Sequence, residues 1–210
     1  TSILPAAVAE RLQRGETVVD EHSDVTVLFA DIVGFTAMAA RSRPDQILDL
    51  LNKLFAAFDE ITARHGLEKI KTIGDCYMAA GGVFDHQGAH ASAMADLALA
   101  MQEAAARIDD PDGQPVRIRI GIHVGGLTAG VIGQRRFMYD LWGDTVNIAS
   151  RMQSLGEPDC IQVSDDLRRR LDSSYRLDPR GEIDVKGKGA MSTWYLLGRD
   201  GGINAEEDVS

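Results

Sequence analysis

Little in this chain can cross-link, chelate or span. Its 210 residues include only Cys76 and Cys160, far apart and in no C-x-x-C pair. No disulfide framework is available, and both thiols are expected free, in a reducing compartment. The five histidines (His22, His65, His86, His90, His123) contain no H-E-x-x-H spacing, which argues against a zinc site and leaves them as surface or packing residues. No apolar stretch approaches the ~20 residues of a bilayer span. Basic charge is scarce as well: 22 Lys and Arg stand against 32 Asp and Glu, a formal net charge of -10. A polyanionic duplex would be repelled by such a surface, which argues against non-specific nucleic-acid binding, so any nucleotide must meet a local basic cluster. There is no internal repeat, no low-complexity linker and no second domain boundary. What is present, 44% hydrophobic and 26% charged residues, is an ordinary globular composition long enough to bury a core.

Hydrophobic periodicity orders the chain. Residues 3–12 carry a short helical pattern opening at Pro5 and stopped by Gly15, a lead-in rather than core. Residues 25–31 are apolar on both faces, as a central strand should be, and end in Asp31 followed by a turn containing Gly34. Residues 44–65 repeat every 3.6 residues through Ile47, Leu50, Leu51, Leu54, Phe55, Phe58 and Ile61, with Pro44 in the first turn and Gly66 as the stop. Two short strands, 67–72 and 76–81, flank Ile73-Gly74-Asp75 as a hairpin. A second helix over 88–108 precedes an alternating strand over 116–124, with Arg117, Arg119 and His123 on its wetter face. This order, β-α-β-β-α-β, predicts an α+β fold with a ferredoxin-like core, a mainly antiparallel sheet and both helices on one face, the other face being left for something else, such as a partner subunit, to cover.

Beyond the core the pattern continues as a C-terminal α/β extension. It comprises a strand-like run at 127–133, a helix from Asp144 as N-cap to about Gly156, a strand at 161–163, and a small helix at 165–171. A turn at 178–181, a loop at 185–189 and a closing strand at 193–197 complete it. The expected organisation is a lead-in over 1–24, one domain over 25–197 and a disordered acidic tail over 198–210.

Two carboxylates, Asp31 and Asp75, end strands that this topology makes neighbours. Such a pair beside a glycine-containing turn suits two divalent ions bridging a triphosphate, whereas the plainer reading is two turn carboxylates bonded to nearby backbone. Lys71 lies on an otherwise apolar run, so its side chain reaches a pocket, an interface or solvent. Arg135 and Arg136, with Lys186 and Lys188, are the basic clusters best placed for phosphates. Asn147 and Arg151 stand at i and i+4 and share a polar helix face, aimed at ligand or at water. Asp140, among Tyr139, Leu141 and Trp142, is an acid in an aromatic neighbourhood and needs a partner.

Four stretches together carry a resemblance. Phe29-Ala30-Asp31-Ile32-Val33-Gly34-Phe35-Thr36, Glu68-Lys69-Ile70-Lys71-Thr72-Ile73-Gly74-Asp75, the run from Tyr139 to Arg151, and Val185-Lys186-Gly187-Lys188-Gly189 resemble the catalytic domain of class III nucleotidyl cyclases over roughly residues 25–197. Residues 3–15 loosely resemble the coupling stretch of membrane-anchored bacterial members. The resemblance implies a head-to-tail homodimer with two active sites at its interface. One chain supplies Asp31 and Asp75, with Ile32 in the same group, for two Mg²⁺ or Mn²⁺ ions, together with Gly34, Phe35 and Thr36 and with Arg135 on phosphate. The other supplies Lys71 and Asp140 to the base, Asn147 to the ribose, Arg151 to the transition state and Lys186 to the terminal phosphates. It also implies a domain on the cytoplasmic face of a membrane-anchored protein, the anchor lying before Thr1.

Adenine offers an acceptor at N1 and donors at its 6-amino group, matching a lysine donor and an aspartate acceptor. Guanine reverses both groups, so the expected reaction is ATP to cyclic AMP and pyrophosphate. The rivals are a guanylate or dual-specificity cyclase, and a catalytically dead cyclase-like domain that only dimerises and regulates. Occupancy of the polar positions argues against the last, since a module freed from catalysis has no reason to keep them.

Overall fold

The computed structural model describes residues 6–84, 88–133, 137–185 and 187–200. Its central strand is β1 (Val19–Ile32), which contains the expected strand at 25–31 and begins earlier. The polar start was hidden from hydropathy, but Asp20, Glu21 and His22 pair with Ala129, Thr128 and Leu127, and a bulge between His22 and Val25 joins the two parts. Alternation along β1 then divides the interior. Leu28, Ala30 and Ile32 face one core and Val25, Val27 and Phe29 the other, so parity puts Asp31 on the second face.

The first core is roofed by α3 (Pro44–Arg64) and α4 (His90–Ala106). Leu50, Leu54, Phe58 and Ile61 of α3 and Met94, Leu97, Ala98 and Met101 of α4 are buried there, at the spacing the periodicity predicted. Pro44 opens α3 behind a reciprocal Arg43–Gln46 cap, and Gly66, at φ 66°, closes it. Between the helices β2 (Glu68–Ile73) and β3 (Cys76–Gly81) form the expected hairpin, with Gly74 in the left-handed region at φ 63°. With β4 (Ile118–Ile132) the order β2-β3-β1-β4 is antiparallel throughout, the ferredoxin-like arrangement.

Three features differ from the sequence reading. The runs at 116–124 and 127–133 are one long strand, because β4 continues through Gly125 and Gly126 instead of turning there. Its far edge is shared in series by β6 (Ile161–Ser164), which pairs in parallel with Ile120–Ile122, and β5 (Met138–Trp142), which pairs antiparallel with Thr128–Ile132. The expected turn at 178–181 is an irregularity inside β7 (Tyr175–Val185), and β8 (Gly189–Arg199) outruns the expected strand at both ends. Residues 198 and 199 therefore belong to the sheet; of the rest of the expected acidic tail, Asp200 is described and 201–210 lie outside the described residues. A seven-residue helix, α2 (Phe35–Arg41), follows Gly34 where only a turn was expected.

The second sheet face is covered largely from within the chain. Helix α1 (Ala6–Gln13) delivers Val8, 2% exposed, so the lead-in does join a core. Helix α5 (Asp144–Ser154) lies along β4, with Ala149 buried beside Val27 and Leu127. Its flank, through Ile148 and Met152, packs on Ile183 and Val185. The short α6 (Asp165–Arg168) follows β6 directly, capped by Ser164. His123 packs as well: it is buried, pairs through Nδ1 with Ser164 Oγ at 2.7 Å, and desolvation lowers its pKa. Among the described residues no helix is long and apolar enough to cross a membrane.

Helix α5 reaches this position because β4 has no side chain beneath it at two points. A Cβ on Gly121 would lie 1.9 Å from the backbone nitrogen of Gln153, and one on Gly125 would lie 2.6 Å from Thr145 Oγ1. Replacing Gly121 with alanine is therefore expected to lift α5 and to cost about 3 kcal/mol or more, as overpacking against backbone does. Urea unfolding of Gly121→Ala checks this, and an unchanged midpoint contradicts it.

Candidate active site

Asp31 is the penultimate residue of β1, and Asp75 sits in the hairpin between β2 and β3, whose second strand is β1's neighbour. The two carboxyls meet. Burial, then the charge of Asp31, pushes Asp75 up to about 6, while the Ile32 backbone N–H opposes the shift by hydrogen bonding to it. Next to them, burial and the same two charges push the Cys76 thiol up to about 12, so it stays protonated. Ile32 buries its side chain in the helical core, which leaves only its backbone to serve an ion. Gly34, at φ 73°, turns the chain into α2, whose first-turn amides at Phe35 and Thr36 have no intrahelical carbonyl to bond. Met38 N–H already bonds to Gly34 C=O.

A second group gathers at the edge of β2 and on β5. Lys71 Nζ donates to Asp140 Oδ2 at 2.5 Å, and Leu141 N–H donates to Asp140 Oδ1 at 2.8 Å. Asp140 is 6% exposed, so the partner its surroundings demanded is Lys71. The pair is oriented but unsaturated: an ammonium has three donors and each carboxylate oxygen two lone pairs.

The third group is on α5. Its N-cap is Gly143, at φ 128°, and not Asp144, which is the first helical residue and there complements the positive end of the helix dipole. Thr145 Oγ1 donates to Gly126 C=O at 2.6 Å and ties the helix start to β4. Asn147 and Arg151 project from the exposed side and wall a cleft of 580 Å³ closed by Val185, Gly187 and Lys188 of the β7–β8 turn. Lys188 forms an ion pair with Asp144 at its mouth. Neither Asp31 nor Asp75 lines this cleft. Arg135 and Lys186 lie outside the described residues.

The structure thus brings together Asp31 with Asp75, Lys71 with Asp140, and Asn147 with Arg151, while neither acid lines the cleft on α5. The acids fit a hard divalent cation: both are oxygen donors, and their mutual repulsion is relieved by positive charge. No described cluster of three or more His, Cys, Asp or Glu is grouped to cage a metal. Ions held by two carboxylates leave coordination places for phosphate oxygens, the usual arrangement for Mg²⁺. Sequence reasoning missed Arg119, whose Nη2 stands 3.4 Å from Asp31 Oδ2, although strand parity had already put Arg119 on the wetter face of its strand.

Asp75 binds its proton more tightly in the folded chain than at its ordinary value of 3.8. Its contribution therefore favours folding at low pH and is lost as pH rises through about 6. With metal chelated, wild type is expected to lose thermal stability relative to Asp75→Asn between about pH 4 and 7, the variant being the more stable at neutrality. Thermal melts across that range check this, and parallel pH profiles contradict it.

The chain is similar to known proteins along most of its length. The family model described as the adenylate and guanylate cyclase catalytic domain matches residues 17–198. An adenylate cyclase of Mycobacterium tuberculosis is 49% identical over 200 residues, 94% of this chain and 45% of the relative. Guanylate cyclase soluble subunit beta-2 of Rattus norvegicus is 42% identical over 210 residues, 99% of this chain and 30% of the relative. The crystal structure of the guanylate cyclase domain of RhGC from Catenaria anguillulae in complex with GTP superposes with a TM-score of 0.83 at 35% identity, over 86% of this chain and 100% of that one. The chain spans less than half the length of these two curated relatives. On the extent of the family match and these identities, the chain belongs to the adenylate and guanylate cyclase catalytic domain family.

Proposed function

We propose that this chain is an adenylate cyclase catalytic domain, forming 3′,5′-cyclic AMP and pyrophosphate from ATP at two sites shared across a head-to-tail homodimer. The observation that carries the choice of nucleotide is the Lys71–Asp140 pair. It offers a donor and an acceptor side by side, with Asp140 buried and held by the Leu141 amide. Adenine N1 accepts from Lys71 and the 6-amino group donates to Asp140; guanine would leave the half-buried ammonium and the buried carboxylate both mispaired. Overall similarity does not choose, because adenylate and guanylate cyclases both occur among relatives above 40% identity.

The separation of the acids from the α5 cleft supports a shared site. In this reading one copy contributes Asp31 and Asp75, with Arg135 and the amides after Gly34 on phosphate. The other contributes Lys71, Asp140, Asn147, Arg151 and Lys186. Two Mg²⁺ or Mn²⁺ ions held by Asp31 and Asp75 would lower the pKa of the ribose 3′-hydroxyl and neutralise the phosphates. Asn147 orients the ribose so that its 3′-oxygen lies in line with the α-phosphorus. Arg151 presents a planar fork of donors to the charge that builds on the α-phosphoryl oxygens, and its removal is expected to lower kcat by about 10²–10³. Attachment to a membrane through a segment before Thr1, with the domain on the cytoplasmic face, completes the proposal.

Incubation with ATP or GTP and Mn²⁺ tests the substrate: cyclic AMP is expected, and dominant cyclic GMP overturns the base reading. Lys71→Glu with Asp140→Ser exchanges donor for acceptor and is expected to move preference toward GTP. Asp31→Ala and Asn147→Ala homodimers should each be nearly inactive. Mixed, they should recover about a quarter of wild-type activity, since half the dimers carry one intact site of two. No recovery after confirmed subunit exchange rejects the shared site.

A further inference from the structure

Asp31 and Asp75 are held close enough to disturb each other, and the arrangement includes one fixed cation. Arg119 faces Asp31 directly in the β1–β4 register, with Nη2 3.4 Å from Asp31 Oδ2 and both side chains mostly shielded from water, 28% and 23% exposed. Its Nε is buried without a hydrogen-bond partner, so the guanidinium is only partly committed. Gly156 lies against its stem: a Cβ there would stand 3.4 Å from Arg119 Cγ, at ordinary van der Waals contact. The neighbouring Arg117 is already engaged at the surface by Asp159 at 2.6 Å. Among the described residues Arg119 is the cation paired with Asp31.

We propose that Arg119 is a positioning residue, the built-in counter-cation of the two-carboxylate site: it holds the Asp31 carboxylate in place before metal binds and yields it to an incoming divalent ion. This rests on the reading of Asp31 and Asp75 as metal ligands. Two effects of opposite sign follow. The guanidinium stabilises the metal-free fold by offsetting repulsion between the acids, and it weakens divalent binding because an ion must displace or tolerate a positive charge. A side chain that served only packing would produce neither effect selectively.

The test is Mn²⁺ binding by the full chain without nucleotide at pH 8, read from the electron paramagnetic resonance of free Mn²⁺. Denaturant unfolding with chelator and with Mn²⁺ accompanies it. Arg119→Gln is expected to bind Mn²⁺ about tenfold more tightly and to lose stability only in chelator, while Arg119→Lys stays near wild type. Asp31→Asn added to Arg119→Gln should restore metal-free stability, since the charge needing compensation is gone. Equal or weaker Mn²⁺ binding by Arg119→Gln overturns the proposal, as does failure of both the single and the double variant to fold. A wild type whose Mn²⁺ binding is unaffected by Asp31→Asn overturns the metal-ligand reading itself, a separate outcome.

Discussion

The backbone ladder between β1 and β4 is the constraint on which the rest depends. It runs from Val19 opposite Gly130 to Ile32 opposite Ile118, broken once by the bulge at His22 and Val25. A slip by one residue would exchange the two faces of β1, putting Leu28, Ala30 and Ile32 against α5 and the Asp31 carboxylate on the apolar face under α3 and α4. The same register sets Arg119 against Asp31 and aligns Gly121 and Gly125 beneath α5. Charge placement and helix placement are thus two results of one pairing.

Stability and site chemistry pull apart where that ladder ends. The interior of β1 is saturated with apolar contacts, and a few residues further on two acids share a half-buried corner, Asp75 pushed up to about 6. Repulsion of this kind persists only where surrounding structure fixes the groups. Here the central strand, the tight turn at Gly74 and the opposing Arg119 do so. Helix α5 shows the complementary arrangement. Its buried side, Ala149 and Met152, carries the packing, which leaves Asn147 and Arg151 free of structural duty.

Much of this was legible in the residues. The apolar run at 25–31, the 3.6-residue period ending at Gly66 and the Gly-Asp hairpin each point to their element through local chemistry, and those elements form. Segments whose structure comes from distant partners were less legible. The polar start of β1 reads as loop until Leu127–Ala129 is present to pair with it. Gly125-Gly126 reads as a break until the need of α5 for a bare strand is known, and Asp178-Pro179-Arg180-Gly181 reads as a turn until β8 absorbs it as an irregularity. The same division holds at the site. Asp31, Asp75, Asn147 and Arg151 could be nominated from spacing and resemblance, whereas the Lys71–Asp140 bond, spanning 69 positions, and the Asp31–Arg119 pair, spanning 88, exist only once the sheet assembles.

Where the Lys71–Asp140 pair, proposed to face the base, sits in the sheet bears on how one fold could serve two nucleotides. Lys71 is on β2, an edge strand, and Asp140 on the short β5, which among the described residues pairs with the tail of β4. Neither side chain belongs to a hydrophobic cluster, although their neighbours Ile70, Tyr139 and Leu141 do. Exchanging these two side chains alters hydrogen-bond polarity without removing a member of a hydrophobic cluster, and the folding cost that remains is the local one of re-pairing buried Asp140 and the Leu141 amide. The acids are different, because Asp31 ends the central strand and its charge is coupled to Asp75 and Arg119. Under the proposed reading, the phosphate and metal half is therefore tied to the register of the whole sheet. Under the same reading the base half, carried on an edge strand and on the short β5, is the less constrained of the two.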